Sequence, residues 1–430
     1  MWGRNETPSA ATVFLTGCLL CLCPVLVALC WNCCHYRGAS IAALFHHVRS
    51  FGILSVLPRP TGESMLMLVS WMALQAVLFV HLPGPLVRGQ ETPAGNVLEY
   101  RVNGLYAWTI SNGLFAAFGL LGIIRFSVIA DNWEGLLVAA NLYGFLLAAF
   151  VFIKAHMQPT HRGDRKFSGS RIYDFFMGIE INPRIGSLFD LKLFHNGRPG
   201  IAAWTMINAS FAASQYNRFG LVTDSMVLIN ILHALYVLDF FIHEDWYLKT
   251  IDISHEHFGF NLSWGDSVWL PYMYTLQAQY LSHNPVILGI QFWPIFLLGL
   301  VGYCIFREAN FQKDVCRRTG GLCHIWGEPA KIINTKFTSA DGKRHNSVLL
   351  ASGLWGLSRH CNYLGDLILS LAMCLTCGTH HALPYFYILY MTILLMHRIE
   401  RDHQRCKGKY GPYWTEYCRQ VPYKLIPAVY

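Results

Sequence analysis

Charge is what this chain has least of. Only 13% of its 430 residues are charged, whereas 53% are hydrophobic and 14% aromatic. Soluble domains carry nearer a quarter charged residues, so an ordinary soluble domain is excluded. Glycine-rich phosphate signatures are also missing: neither G-x-G-x-x-G nor a P-loop occurs. Any dinucleotide would therefore be held without a Rossmann domain. There is no internal repeat, no low-complexity tract and no recognisable soluble domain at either end. The missing repeat weighs against many transporter folds.

The abundant apolar residues fall in blocks. Residues 11–31, 65–82, 105–124, 135–153 and 286–306 each approach the ~20 residues that cross a bilayer as helix. The first block follows Arg4 as a secretory signal might, but its apolar run is long. Pro24 and Trp31 stand where a cleavage site would need small residues. It reads as a retained span. Sequons begin at Asn5, Asn208 and Asn261, two of them in or near apolar sequence, and are weak glycosylation signals.

Fourteen cysteines concentrate inside apolar segments, including Cys18, Cys21, Cys23, Cys30, Cys33 and Cys34 in the first. The C-x-x-C pairs Cys18/Cys21, Cys30/Cys33 and Cys374/Cys377 lack the polar turn that a structural zinc site uses, so no metal is expected. Small apolar packing is their default role. Cys30, Cys33 and Cys34, at a span end, are also candidates for palmitoylation.

Basic residues cluster. Of 33 Lys and Arg, seven lie in 156–200, eight in 307–350 and seven in 398–430. The positive-inside rule places these three stretches on the cytosolic side. Further spans at 201–216, 222–243, 267–281, 365–378 and 383–396 give about ten helices, with both termini cytosolic. Arg37, Arg49 and Arg59 then fall in a lumenal loop, against the rule. The expected class is an all-α polytopic bundle: residues 1–306 form the transmembrane body with a substrate pocket. Residues 307–430 form a cytosol-facing cofactor-binding region with a final transmembrane hairpin. Charge divided among short loops argues against nucleic acid and for a phosphate-bearing small molecule or lipid headgroups.

Two regions break the apolar pattern. In 243–257 every residue but Leu248, Ile251 and Ile253 can titrate or hydrogen-bond, directly after a span holding His233 and Asp239. Ionisable groups at membrane depth usually line a cavity or pathway. Both a polar pocket floor with a proton donor and an ordinary lumenal loop fit this pattern. The second region runs from Ser352 to Asp366 and resumes at 397–411. Arg398, Arg401, Asp402 and Arg405 fall at i, i+3, i+4 and i+7, on one helix face. That face suits lipid phosphates, with Arg398–Asp402 a routine salt bridge, or a dinucleotide whose phosphates meet the guanidiniums.

Three long blocks carry a resemblance. Residues 169–184 (GSRIYDFFMGIEINPR) and 394–411 (LLMHRIERDHQRCKGKYG) resemble the two signatures of the membrane sterol reductases that act on Δ14, Δ7 and Δ24(28) double bonds. Asp239-Phe-Phe, residues 246–255 (WYLKTIDISH) and residues 269–272 (WLPY) look like the Δ7 branch. The resemblance implies about ten transmembrane helices, residence in the endoplasmic reticulum, a sterol substrate, NADPH as cofactor, and lipid and other sterol-biosynthetic membrane enzymes, such as the Δ8–Δ7 isomerase, as partners.

Carried over position by position, it places the NADPH site on Lys313, Arg317, Leu350, Trp355, Asn362, Tyr363, Arg398, Asp402, Cys406, Lys407, Gly408, Lys409, Tyr410 and Tyr417. It implies reduction of a conjugated 5,7-diene by protonation and hydride transfer. An electron-rich alkene resists hydride, so a general acid must act first or in concert. Candidates are Tyr247, Asp252, Glu244 and His255. Alternatives stay open: Δ14 reduction, a sterol sensor or transporter, and an isoprenylcysteine-type methyltransferase, whose Arg-His-x-x-Tyr resembles Arg359–Tyr363. The methyltransferase cofactor has no phosphate, which leaves the basic excess without a role.

Overall fold

The structure is a computed structural model that describes residues 7–338 and 344–430. It is mostly helical. The principal helices are α1 (Ala10–Tyr36), α2 (Ile41–Phe51), α3 (Gly62–His81), α4 (Gly104–Leu120), α5 (Trp133–Met157), α6 (Ala202–Phe219), α7 (Asp224–Ile242), α8 (Phe292–Arg318), α9 (Cys361–Leu375), α10 (Phe386–Tyr410) and α11 (Pro412–Gln420). Among the described residues α1, α3, α5, α7 and α8, the last with its preceding turn, are long and apolar enough to cross a membrane. Local chemistry starts them where the apolar runs begin. Ser9, Thr61 and Thr223 accept from the backbone N–H of Thr12, Ser64 and Met226, satisfying donors that a helix N-terminus leaves free.

Short antiparallel hairpins supplement the helices, a departure from the all-α expectation. β1 (Leu86–Glu91) pairs with β2 (Val97–Arg101), and β3 (Ile332–Thr338) pairs with β4 (Arg344–Leu350). Two smaller two-stranded pairs accompany them.

The expected straight span at 267–281 is broken. A π-helical turn, Gly265–Trp269, leads into Leu270–Met273 and then Leu276–His283. Every residue from Leu276 to Ser282 is buried, so protein rather than lipid covers this irregular backbone. A second π-helical segment, Asn196–Ile201, precedes α6. The two meet at Gly200, where a Cβ would lie 2.9 Å from the Asp266 carbonyl oxygen.

Contacts divide the chain into two units. The first holds residues up to Leu288 together with Cys377–Pro384, and the second holds Gly289–Thr376 and Tyr385–Tyr430. The second is organised on α8 against α9. They approach through Gly302 and Gly365, where a Cβ at either position would lie 2.5 Å from a backbone nitrogen of the other helix. Small residues allow such close helix crossings in membranes.

Burial corrects several expectations. Of the seven basic residues in 156–200, Lys166, Arg184, Lys192 and Arg198 are buried, so they do not act as loop charges. Arg184 pairs with Asp190 at 3.1 Å and Arg198 with Glu244 at 2.6 Å, which is how the interior accommodates them. Cys30, Cys33 and Cys34 are buried, leaving no access for acylation in this fold. Asn208 is buried and bonded to His233, so its sequon is closed, and Asn5 lies outside the described residues.

Candidate functional site

In the first unit, the polar segment 243–257 packs into the interior instead of emerging as a loop. Short helices Glu244–Tyr247 and Ile251–Ser254 form it, and Glu244, Leu248, Ile253, Glu256 and His257 are buried. Glu244 accepts the Gly104 N–H at 2.8 Å through Oε2, while Oε1 faces the Arg198 guanidinium. Arg198 donates to Asn103 Oδ1 at 2.9 Å and lies over the Phe79 and Phe241 rings. Gly104 permits this approach, because a Cβ there would fall 2.5 Å from Arg198 Nη1 and 2.8 Å from Glu244 Oε2. Glu244 is thus held as the counter-ion of a dry guanidinium.

The other three candidate acids are half-buried. Tyr247 packs on Phe240, with ring centroids 5.1 Å apart, beside the cluster containing Phe79 and Phe194. His255 ends the Ile251–Ser254 turn, its N–H donating to the Ile251 carbonyl. Asp252 belongs to a charged group whose other members the sequence reading passed over. Lys192, fully buried, donates to the Ile253 and Glu256 carbonyls at 2.7 and 2.8 Å. Burial lowers its pKa to about 8, against the opposing pull of Asp190, Glu256, Asp252 and Asp266. Asp266, on the π-helical turn Gly265–Trp269, is 8% exposed, and its Oδ2 accepts no hydrogen bond among the described residues. Burial, then Asp252, holds its carboxyl well above the usual carboxylate range. Phe260, Trp264 and Trp269 form an aromatic wall along the same segment, Phe260 stacking on Trp264 at 5.2 Å. Nearby, His195 donates Nδ1–H to the Leu191 carbonyl, so its Nε2 accepts from the Tyr143 hydroxyl at 2.6 Å.

The second unit gathers most of the residues expected around a cofactor. Lys313 and Arg317 lie on the polar end of α8. The Lys313 ammonium sits 4.3 Å from the Trp355 ring centroid, and the Trp355 indole donates to the Ala309 carbonyl at 2.7 Å. Tyr417 donates to the Trp355 carbonyl at 3.4 Å. Leu350, at the end of β4, packs in the same cluster as Trp355 and Cys361. Tyr363 stacks on His360 at 5.2 Å, and burial, helped by Lys313 and Arg359, lowers the His360 pKa to about 4. Asn362 has a sealed carbonyl oxygen that accepts no hydrogen bond among the described residues.

On α10 Asp402 pairs with Arg405 at 3.4 Å, one turn onward, and also faces the Cys406 thiol. Burial and Asp402 push that thiol up to about 12. Arg398 lies where it acts on Asp366 of α9. Lys409 sits 3.9 Å from the Phe337 ring centroid on β3. Its pKa is lowered to about 8 by burial and by neighbouring Arg405 and Arg317. Cys406, Tyr410, Trp414 and Tyr417 form one buried cluster with Leu349, while Lys407 and Gly408 face outward. Phe337, stacked on His345 at 5.2 Å across the hairpin, was missed from sequence. The β-branched stretch 332–338 followed by Asp341-Gly342 is the hairpin signal that could have found it.

Lys313, Arg317, Arg405 and Lys409 therefore act on one another with Asp402 among them, beside the Trp355 and Phe337 faces. Such a set fits an anionic ligand that carries phosphate and flat rings.

Fold and site together define a mostly helical protein with several helices apolar enough to cross a membrane and a basic, aromatic cluster on α8, α10 and the β3–β4 hairpin. The family model for the ergosterol biosynthesis ERG4/ERG24 family matches residues 19–430, and the chain belongs to that family, the sterol reductases. It is 47% identical over 447 residues to a 7-dehydrocholesterol reductase of Xenopus laevis, covering all of this chain and 94% of that protein. A 7-dehydrocholesterol reductase of Danio rerio is 46% identical over 451 residues, with the same coverage. A Delta(14)-sterol reductase of Methylotuvimicrobium alcaliphilum is 40% identical over 422 residues, covering 96% of this chain and 94% of its own. Membership of the family implies an oxidoreductase that acts on sterols with a reduced nicotinamide cofactor.

Proposed function

We propose that this protein reduces the Δ7 double bond of 7-dehydrocholesterol with NADPH, yielding cholesterol, in the endoplasmic reticulum membrane with both termini cytosolic. The observation that carries the proposal is full-length identity of 46–47% to two vertebrate relatives that bear that activity in their names. Δ14 reduction is the second reading, because relatives named Delta(14)-sterol reductase reach 40% and 37% identity.

The residues of that cluster fit the cofactor. Arg317, Arg405 and Lys409 supply charge for a 2′-phosphate and pyrophosphate, and Trp355, Tyr363 and Phe337 offer flat faces. The unsatisfied Asn362 oxygen matches the amide donor of a nicotinamide. Arg398 and Asp402 on α10 and Tyr417 on α11 are further contacts of that cofactor site. NADPH, when bound, supplies hydride.

The chain itself must supply the proton. Protonation of a conjugated diene gives an allylic cation, which aromatic faces such as Trp264 and Trp269 would stabilise. Glu244 is unsuited, since its charge neutralises Arg198 and its second oxygen is taken by Gly104. Asp252 and Asp266 are better placed. Burial, reinforced by the charge of Asp252 and opposed by Lys192, holds the Asp266 carboxyl well above the usual carboxylate range and favours its keeping a proton at neutral pH. Asp266, the more deeply buried, is the holder of that proton, and Tyr247 and His255 remain as further donors on the same segment.

Detergent-solubilised protein given NADPH with 7-dehydrocholesterol, and in parallel with a Δ14 sterol, should lose the diene absorption and gain two mass units on the first substrate. Turnover of the Δ14 sterol alone, or diene loss without NADPH, would overturn the assignment.

A further inference from the structure

The segment between α1 and α3 has no role in the chemistry above. It contains α2, which is amphipathic but has no buried residue. At 100° per residue, Ile41, Leu44, Phe45, Val48 and Phe51 share an arc of about 120°, opposite His46, His47, Arg49 and Ser50. The apolar arc is uncovered: Ile41, Phe45 and Phe51 are 53%, 69% and 70% exposed, and Leu54 in the next turn is 78% exposed. Eleven residues make a rod of about 16 Å, too short to cross a bilayer.

Its level relative to the bilayer is set by its attachments. Helix α1 ends at Tyr36 and α3 begins at Gly62, and both are membrane-crossing by length and composition, so the chain leaves and re-enters at one surface. Glu134, in the first turn of α5, ties both flanks down. It accepts from the Tyr36 hydroxyl at 3.2 Å and from the Arg59 N–H at 2.9 Å. Asn32 donates to the Val56 carbonyl at 3.4 Å, and Val56 is buried, which pins the turn after α2 to α1. Three span ends thus fix α2 where lipid headgroups lie.

Charge completes the case. Residues 32–62 contain Arg37, Arg49, Arg59 and three histidines, and not one Asp or Glu. A helix with an exposed apolar arc, a basic opposite face and a fixed place at the bilayer surface has the form of an interfacial anchor. We infer that α2 lies in the headgroup–acyl boundary as an amphipathic anchor, its occupant being phospholipid with a preference for anionic headgroups. The arginines on this side, which run against the positive-inside pattern, are then lipid ligands.

The test uses the full chain in nanodiscs of phosphatidylcholine and phosphatidylserine, with a photoreactive residue introduced as Phe45→p-benzoylphenylalanine or, as polar-face control, Ser50→p-benzoylphenylalanine. Neither side chain is buried, so folding is not at risk. Irradiation should add the mass of one phospholipid at position 45 and several-fold less at position 50. A covalent dimer from position 45, no adduct there, or equal adducts from both positions would overturn the anchor. Changing Arg37, Arg49 and Arg59 together to Gln should cut the phosphatidylserine share of the adducts at least twofold. An unchanged share would overturn the anionic preference.

Discussion

Glu244 offers the sharpest test of how the polar segment is used. In Glu244→Gln the Arg198 guanidinium stays fully buried, with Asn103 and two aromatic rings as neighbours but no counter-charge. Removing one partner of a buried ion pair costs about 3–5 kcal/mol. For a unit of this size that corresponds to a fall in apparent melting temperature on the order of 10 °C. The assay is thermal unfolding of the purified protein in detergent, followed by intrinsic tryptophan fluorescence, with sterol turnover measured on the surviving fraction. The double variant Arg198→Met/Glu244→Leu should recover much of the loss, because apolar residues of similar volume often replace a buried pair at little cost. The result that would falsify this reasoning is a Glu244→Gln protein with wild-type melting behaviour and no activity. That pattern would make Glu244 a proton donor rather than a counter-ion.

Other expectations follow from the same geometry. Asp266→Asn should lower kcat about a hundredfold, the usual scale for losing a general acid, while the KM for NADPH stays put; a drop of only a few fold would remove Asp266 from the chemistry. Lys409 has a pKa lowered to about 8, so its charge is present at pH 7 and largely gone by pH 9.5. NADPH affinity measured by fluorescence should therefore weaken as pH rises through 8, and Lys409→Arg should flatten that profile; an equally steep profile in the variant assigns the pH dependence elsewhere. Gly365→Leu drives a side chain into Phe306 backbone, at a cost of about 1–3 kcal/mol or more. It should lower thermal stability and NADPH affinity together, and unaltered values for both would refute the close α8–α9 crossing.

Hydropathy made the apolar helices legible because lipid imposes one requirement, a long run of apolar residues with internally satisfied backbone. Helices α1, α3, α5, α7 and α8 all begin within six residues of where the apolar blocks suggest. The break at residues 265–283 was not legible, since burial by protein relaxes that requirement for Gln277, Gln279 and Ser282. Nor was the fate of Lys192 and Arg198. Counted along the chain they are two loop cations, and only partners distant in sequence, the Ile253 and Glu256 carbonyls for Lys192 and the Glu244 carboxylate for Arg198, make them interior residues. The basic α10 face was readable from its i, i+3, i+4 spacing. The Asp402–Arg405 pair was not, because Arg398 and Arg405 lie almost equally near Asp402 in sequence.

Helix α8 joins two environments in one uninterrupted rod: an apolar first half, and a second half that carries Lys313 and Arg317. Arg317 lies 25 residues from Phe292, about 37 Å along the axis. A tilt of about 5° about the Phe292 end, the kind of adjustment a helix makes to a thicker or thinner bilayer, swings Arg317 sideways by about 3 Å. That exceeds the tolerance of a charge-assisted hydrogen bond. In mechanical terms the helix is a lever whose input is membrane thickness and whose output is the position of Lys313 and Arg317.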